Sequence, residues 1–160
     1  IDLCFWCCTW FFFSFLLSST ILYRYAKNPS LLAVELLNEP LAPGVALDTL
    51  TRYYRDAYDA VRKHSSTAYV ILSNRLGPAD HTELFALASV LTKPVIDVHY
   101  YNLFSTIFTN MTVQQHIDYV KTNRTAELAS ITSPNGPKIF VGKQLLAIIL
   151  ATWNLLKRIY

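Results

Sequence analysis

Four short apolar runs divide this chain, and the stretches between them limit the folds open to it. The runs are LLAVELL (31–37), AYVILS (68–73), PVIDVHYY (94–101) and KIFVG (138–142). Val, Ile and Leu dominate them, and Pro, Ser, Asn or Gly flanks each, as expected of buried strands. After the first run, Asp48 reads as a helix N-cap. Leu50, Tyr54, Ala57, Tyr58 and Val61 then recur at helical spacing, and Arg62, Lys63 and His64 close the stretch where cations suit the helix dipole. HTELFALASVL (81–91) reads as a short helix. Thr112 and Gln115 fit a capping box, and Val113, Ile117, Val120 and Leu128 continue a helical stripe behind it. Strands alternating with helices predict an α/β fold built from parallel βαβ units. An open sheet and an eight-stranded β/α barrel both satisfy that pattern. No glycine-rich phosphate loop is present, and the chain has only four glycines, which argues against a nucleotide-binding sheet.

The two ends differ from the middle. Residues 3–23, LCFWCCTWFFFSFLLSSTILY, carry no charge and are long enough to cross a bilayer as a helix. A signal peptide would place basic residues before the apolar run, whereas this chain opens with Ile1 and Asp2. The run therefore reads as a membrane helix, a buried helix or sequence foreign to the rest. A second apolar stretch, 144–156, is too short to span comfortably. Cys4, Cys7 and Cys8 are the three cysteines, with no second Cys/His cluster to complete a zinc site or a disulfide framework. The net charge is only +3 and no Lys/Arg block stands out, so no nucleic-acid partner is expected.

Chemistry-bearing residues gather at the ends of the predicted strands. The first ends in Asn38-Glu39-Pro40, the second in Ser73-Asn74-Arg75, the third in His99-Tyr100-Tyr101 and the fourth in Gly142-Lys143. Glu39 alone would pass as a solvated turn residue. If neighbouring parallel strands bring these ends together, carboxylate, amide, imidazole and phenol converge, a set suited to acid/base work on a sugar.

The segment RYAKNPSLLAVELLNEPLAPGVALDTLTRYYRDAYDAVRKHSSTAYVIL, followed by DVHYYNLF and GPKIFVG, resembles glycoside hydrolase family 5, the cellulase family. Within it, the plant enzymes called glucan exo-1,3-β-glucosidases are the most similar. The resemblance covers about residues 23–142. It implies a (β/α)8 TIM barrel, of which this chain would hold about strands four to seven, and a retaining glycosidase acting on β-glucan or its oligosaccharides without metal or cofactor. Carried over by position, it makes Glu39 the general acid/base, with Asn38, His99 and Tyr101 binding substrate. Such an acid should have a raised pKa, so that it keeps its proton near neutral pH. Secretion would follow from the resemblance, and the sequons at Asn110 and Asn123 agree with it.

The sequence departs from the family at one decisive point. The family places its nucleophilic Glu after Val-Gly on the seventh strand, and here Val141-Gly142 is followed by Lys143. Glu35 shares a strand with Glu39 but should lie roughly 13 Å from it, inside the barrel. Glu83 and Glu127 are expected on outer helices. The expectation is an inactive fragment lacking its nucleophile, with a non-catalytic carbohydrate-binding or membrane-anchored interaction protein as the alternative. Three segments follow: an apolar segment 1–23, a partial barrel 24–142, and a tail 143–160 outside the family pattern, both ends having the look of translated non-coding sequence.

Overall fold

The computed structural model describes residues 23–77, 80–102 and 105–146. In chain order the elements are β1 (Ala33–Glu35), α1 (Leu47–His64), β2 (Tyr69–Ser73), α2 (Phe85–Ala88) and β3 (Pro94–Asn102). A 3-10 turn (Thr106–Phe108), α3 (Val113–Tyr119), a π-helical turn (Val120–Arg124), α4 (Thr125–Ile131) and β4 (Lys138–Leu146) follow. The strands form one parallel sheet in the order β1-β2-β3-β4. A doubly wound sheet reverses direction at a switch point, whereas these strands run in sequence order. The architecture is α/β and corresponds to a sector of a (β/α)8 barrel, one of the two folds the strand–helix alternation allows.

One face of the sheet makes the core. Leu50, Tyr54 and Val61 of α1 are fully buried with Leu36, Val70, Leu72, Ile96 and Val98 in one cluster. Each such aliphatic side chain contributes about 1.5–3 kcal/mol. The helical spacing of residues 50, 54, 57, 58 and 61 is borne out, since all five are buried. The tyrosines of α1 also reach past the core. Tyr53 donates to the carbonyl of Leu36 at 2.9 Å and Tyr54 to that of Ser73 at 2.7 Å, fixing the helix against the C-terminal ends of β1 and β2.

Several local expectations are corrected. Asp48 is not the N-cap: α1 starts at Leu47 after Ala46, and Asp48 sits in the first turn, where its charge still suits the dipole. The helix expected at 81–91 shrinks to Phe85–Ala88. Asp80 accepts hydrogen bonds from the Thr82 amide and hydroxyl, each at 2.8 Å, which holds the preceding residues in turns. Glu83 is therefore in a turn, not on an outer helix. The Thr112–Gln115 capping box is present. Its stripe is not a buried one: Val113 is 52% exposed and the buried residue of α3 is His116. The π turn adds a residue to the helical register and breaks the stripe's continuity. The fourth strand runs on to Leu146, past the expected end at Gly142.

The apolar stretch 3–23 lies outside the described residues except for Tyr23. Among the described residues no helix is long and apolar enough to cross a membrane.

Candidate functional site

Alternation along β3 sorts its residues. Ile96, Val98 and Tyr100 go to the core, so Asp97, His99 and Tyr101 share the opposite face. Glu35 lies two strands away on that same face, since it pairs with Ile71, and Ile71 with Val95. On β4 the register shifts between Val98 and His99: Val98 pairs with Val141, but His99 pairs with Lys143. Gly142 is the extra residue, and the bulge turns Lys143 onto the face of His99.

Glu39 reaches this cluster from the loop after β1. Its backbone has φ +50, the left-handed region that a residue with a Cβ adopts at a cost of about 1–3 kcal/mol. The loop is held from β2. The Glu39 amide donates to Ser73 Oγ at 3.2 Å, Leu76 donates to the Pro40 carbonyl at 2.8 Å, and Ala42 donates to the Leu76 carbonyl at 2.8 Å.

The Glu39 carboxylate receives three groups on Oε1. The Tyr101 hydroxyl donates to it in a short hydrogen bond, His99 Nδ1 lies 2.7 Å away and Lys143 Nζ lies 3.3 Å away. The other side of the His99 ring meets Asp97, with Nε2 to Oδ2 at 2.9 Å. Asp97 Oδ1 accepts the Gly142 amide at 2.7 Å. A Cβ on residue 142 would collide with that carboxylate, so the bulge requires glycine.

The charges follow from these contacts. Burial pushes the Glu39 carboxyl up, but hydrogen bonds from Tyr101, His99 and Lys143 outweigh it and hold the group below the usual carboxylate value. That is the reverse of the raised value expected for a general acid. Tyr101 is pushed up to about 12 by burial and by the Glu39 carboxylate it serves. Glu35 is raised, first by partial burial and then by Asp97. Glu35 does lie on the inner face of the sheet, with Asp97 and His99, but among the described residues that face of β1 is left partly open to solvent.

Ligand atoms of Glu35, Asp97 and His99 lie within 4.8 Å of one another, a spacing a metal ion could use. Both His99 nitrogens are already turned to carboxylates, so the trio forms a proton-sharing set rather than a prepared coordination site.

Beside Glu39 opens a cleft of about 390 Å³, walled by Asn74, Arg75, His81, Phe108 and Arg124. Its walls are braced by polar contacts between side chains. Arg75 and Glu83 meet at 2.7 Å, His81 and Glu127 at 2.9 Å, and Arg124 and Glu127 at 2.8 Å. The Arg124 guanidinium also lies 4.7 Å from the centre of the Tyr100 ring. The structure thus brings Glu39, His99, Tyr101 and Lys143 together. Asn38 is exposed, and among the described residues its side chain makes no hydrogen bond. Sequence reasoning missed Asp97. The signal was present, because DVHYY places Asp97 on the face of His99 and Tyr101, but only glutamates were weighed as partners.

Comparison with known proteins gives the family. Residues 14–143 match the family described as cellulase (glycosyl hydrolase family 5), a match that begins inside the N-terminal apolar segment. A glucan 1,3-beta-glucosidase of Schwanniomyces occidentalis is 29% identical over 86 residues, 54% of this chain and 20% of that protein. The protein of Aspergillus terreus described as "Probable glucan 1,3-beta-glucosidase A" is 32% identical over 113 residues, 69% of this chain and 27% of that protein. The chain therefore spans about a fifth to a quarter of the length of these relatives. Parallel strands in barrel order, a carboxylate after β1 faced by His99 and Tyr101, and a family match over most of the sequence have one common explanation: the chain belongs to the cellulase family, glycosyl hydrolase family 5.

Proposed function

We propose that the chain carries the acid/base half of a retaining glycosidase site for β-1,3-linked glucan, binds a glucosyl unit there, and does not hydrolyse it. The substrate class comes from the relatives, whose names describe glucan 1,3-beta-glucosidases. Glu39 is the acid/base in this reading, His99 and Tyr101 hold it in place, and Asn38 is free to meet a sugar hydroxyl. A secreted location accords with a polysaccharide substrate.

The observation that carries the reading is the Lys143 ammonium 3.3 Å from Glu39. A retaining enzyme needs two carboxyl groups about 5 to 5.5 Å apart, one to protonate the leaving oxygen and one to attack the sugar. The ammonium stands where the second should be. It cannot form the glycosyl ester, and it opposes the positive charge that develops on the sugar ring. It also favours ionised Glu39, so the proton needed by the leaving group is absent at neutral pH.

The test is hydrolysis of an aryl β-glucoside and of β-1,3-gluco-oligosaccharides, with binding followed by calorimetry. The expected result is binding without turnover, both for the natural sequence and for Lys143→Glu, because the described strands supply only part of a barrel. Turnover by either protein would overturn the inactivity, and loss of all oligosaccharide binding would overturn the sugar site.

A further inference from the structure

We propose that Asp97 is a positioning residue that pins a proton on Nε2 of His99 and, with its other oxygen, sets the bulge that aims residue 143 at Glu39. The inference rests on the reading of Glu39 as the acid/base and adds the device that controls it.

The geometry is specific. Asp97 is 4% exposed at its side chain, and its two oxygens have separate duties. Oδ2 meets His99 Nε2 at 2.9 Å and Oδ1 accepts the Gly142 amide at 2.7 Å. An ionised carboxylate only accepts hydrogen bonds, so Nε2 must be the donor. The Nδ1 edge is then committed to Glu39 Oε1 at 2.7 Å. The Nδ1 edge therefore faces the Glu39 carboxylate without any rotation of the ring. Without Asp97, the proton of a neutral imidazole could sit on either nitrogen.

The second oxygen acts on β4. Gly142 has no side chain because the Asp97 carboxylate occupies that space. The amide bond holds the extra residue in place, and the shift pairs His99 with Lys143. A single buried carboxylate thus fixes both groups that flank Glu39. Glu35, across the sheet, also lies near the Asp97 carboxylate.

The test uses the full chain labelled with 15N-histidine. Of the four histidines, the His99 signals are assigned by their loss in His99→Gln. In the natural sequence, Nε2 should be protonated and its proton should exchange slowly with water. In Asp97→Asn, the amide oxygen can still accept from Gly142, but the NH2 presents a donor to Nε2. The ring should then switch, with Nε2 moving to the unprotonated range. Retention of a protonated Nε2 in folded Asp97→Asn would overturn the proposal. If that variant does not fold, the natural sequence decides: a fast-exchanging or absent Nε2 proton overturns it, and a slow one upholds it. Neither measurement involves a sugar, so failure of the glucan reading would be seen separately.

Discussion

Lys143 Nζ, on β4, and Glu39 Oε1, in the loop after β1, lie 3.3 Å apart although 104 residues separate them in sequence (143 − 39). The ion pair is one of three contacts, with Tyr101 and His99, that hold the Glu39 carboxyl below the usual carboxylate value. Lys143 is the more exposed partner, at 45% of its side chain against 18% for Glu39. Solvent screening therefore limits what the pair adds to stability, and its main effect is on the charge state of the site.

The ordering of influences on Glu39 yields the first prediction. After burial, which raises it, the Tyr101 hydrogen bond is the largest single influence that lowers this carboxyl, followed by the His99 hydrogen bond, while Lys143 acts by hydrogen bond and by charge. Tyr101→Phe and Lys143→Met should both raise the Glu39 pKa. Titration of the carboxyl carbon by 13C NMR reads this directly. An unchanged value in Tyr101→Phe would show that the short hydrogen bond is absent in solution.

Glu39 and Glu35 should move stability in opposite directions with pH. The folded-state pKa of Glu39 is depressed, so its contribution is present above the ordinary carboxylate value and is lost as pH falls through the lower, folded value. Glu39→Gln should lose stability at neutral pH and converge with the natural sequence in acid. Glu35 is raised by burial and by Asp97, so folding favours its protonated form, and stability falls as pH rises through the raised value. Glu35→Gln should match the natural sequence in acid and exceed it at neutral pH. Denaturant melts across this range check both, and parallel curves for all three proteins would contradict the assignment.

How far the sequence reached depends on what each signal encodes. Strand positions were legible because Val, Ile and Leu runs bounded by turn residues report burial, and β2 and β3 fall close to their expected places. α1 was legible because its buried residues keep one period. The 81–91 region was not, since its pattern is helical while an Asp80 turn and the Arg75–Glu83 ion pair decide the backbone. The bulge at Gly142 is also invisible to a period-two reading, because it follows from a carboxylate 45 residues earlier in the chain. Convergence of Glu39, His99 and Tyr101 was accessible only through strand ends and the family resemblance. The lowered Glu39 pKa needed the three-dimensional company of Tyr101 and Lys143.

The tyrosine hydroxyls of α1 give a stability prediction away from the cleft. Tyr54 is fully buried and donates to the Ser73 carbonyl at 2.7 Å, and burial raises its hydroxyl well above the usual value, so it stays neutral. Tyr54→Phe keeps the ring and strands a buried acceptor, at a cost of about 1–2 kcal/mol. Ser73 Oγ holds the Glu39 amide, so the same variant should also perturb the Glu39 backbone signals in an NMR spectrum. A stability change without that perturbation would mean that α1 anchors the sheet but not the site.

Gly142→Ala tests the link between Asp97 and the bulge. The backbone of Gly142 is not in the left-handed region, so alanine brings no conformational penalty of its own. What it brings is a methyl group in the space of the Asp97 carboxylate. Relief of such a clash needs a shift of buried atoms, at a cost of about 1–3 kcal/mol. Asp97→Ala removes the obstacle but leaves the Gly142 amide without its acceptor, a loss of about 1–3 kcal/mol. In the double variant the methyl group should be accommodated, so the two losses should sum to more than the measured total. A double-mutant cycle by denaturant unfolding should therefore give a coupling of about 1 kcal/mol or more. Additive losses would mean that the β4 bulge is held by its own strand pairing, and that the Asp97 carboxylate does not set the position of residue 143.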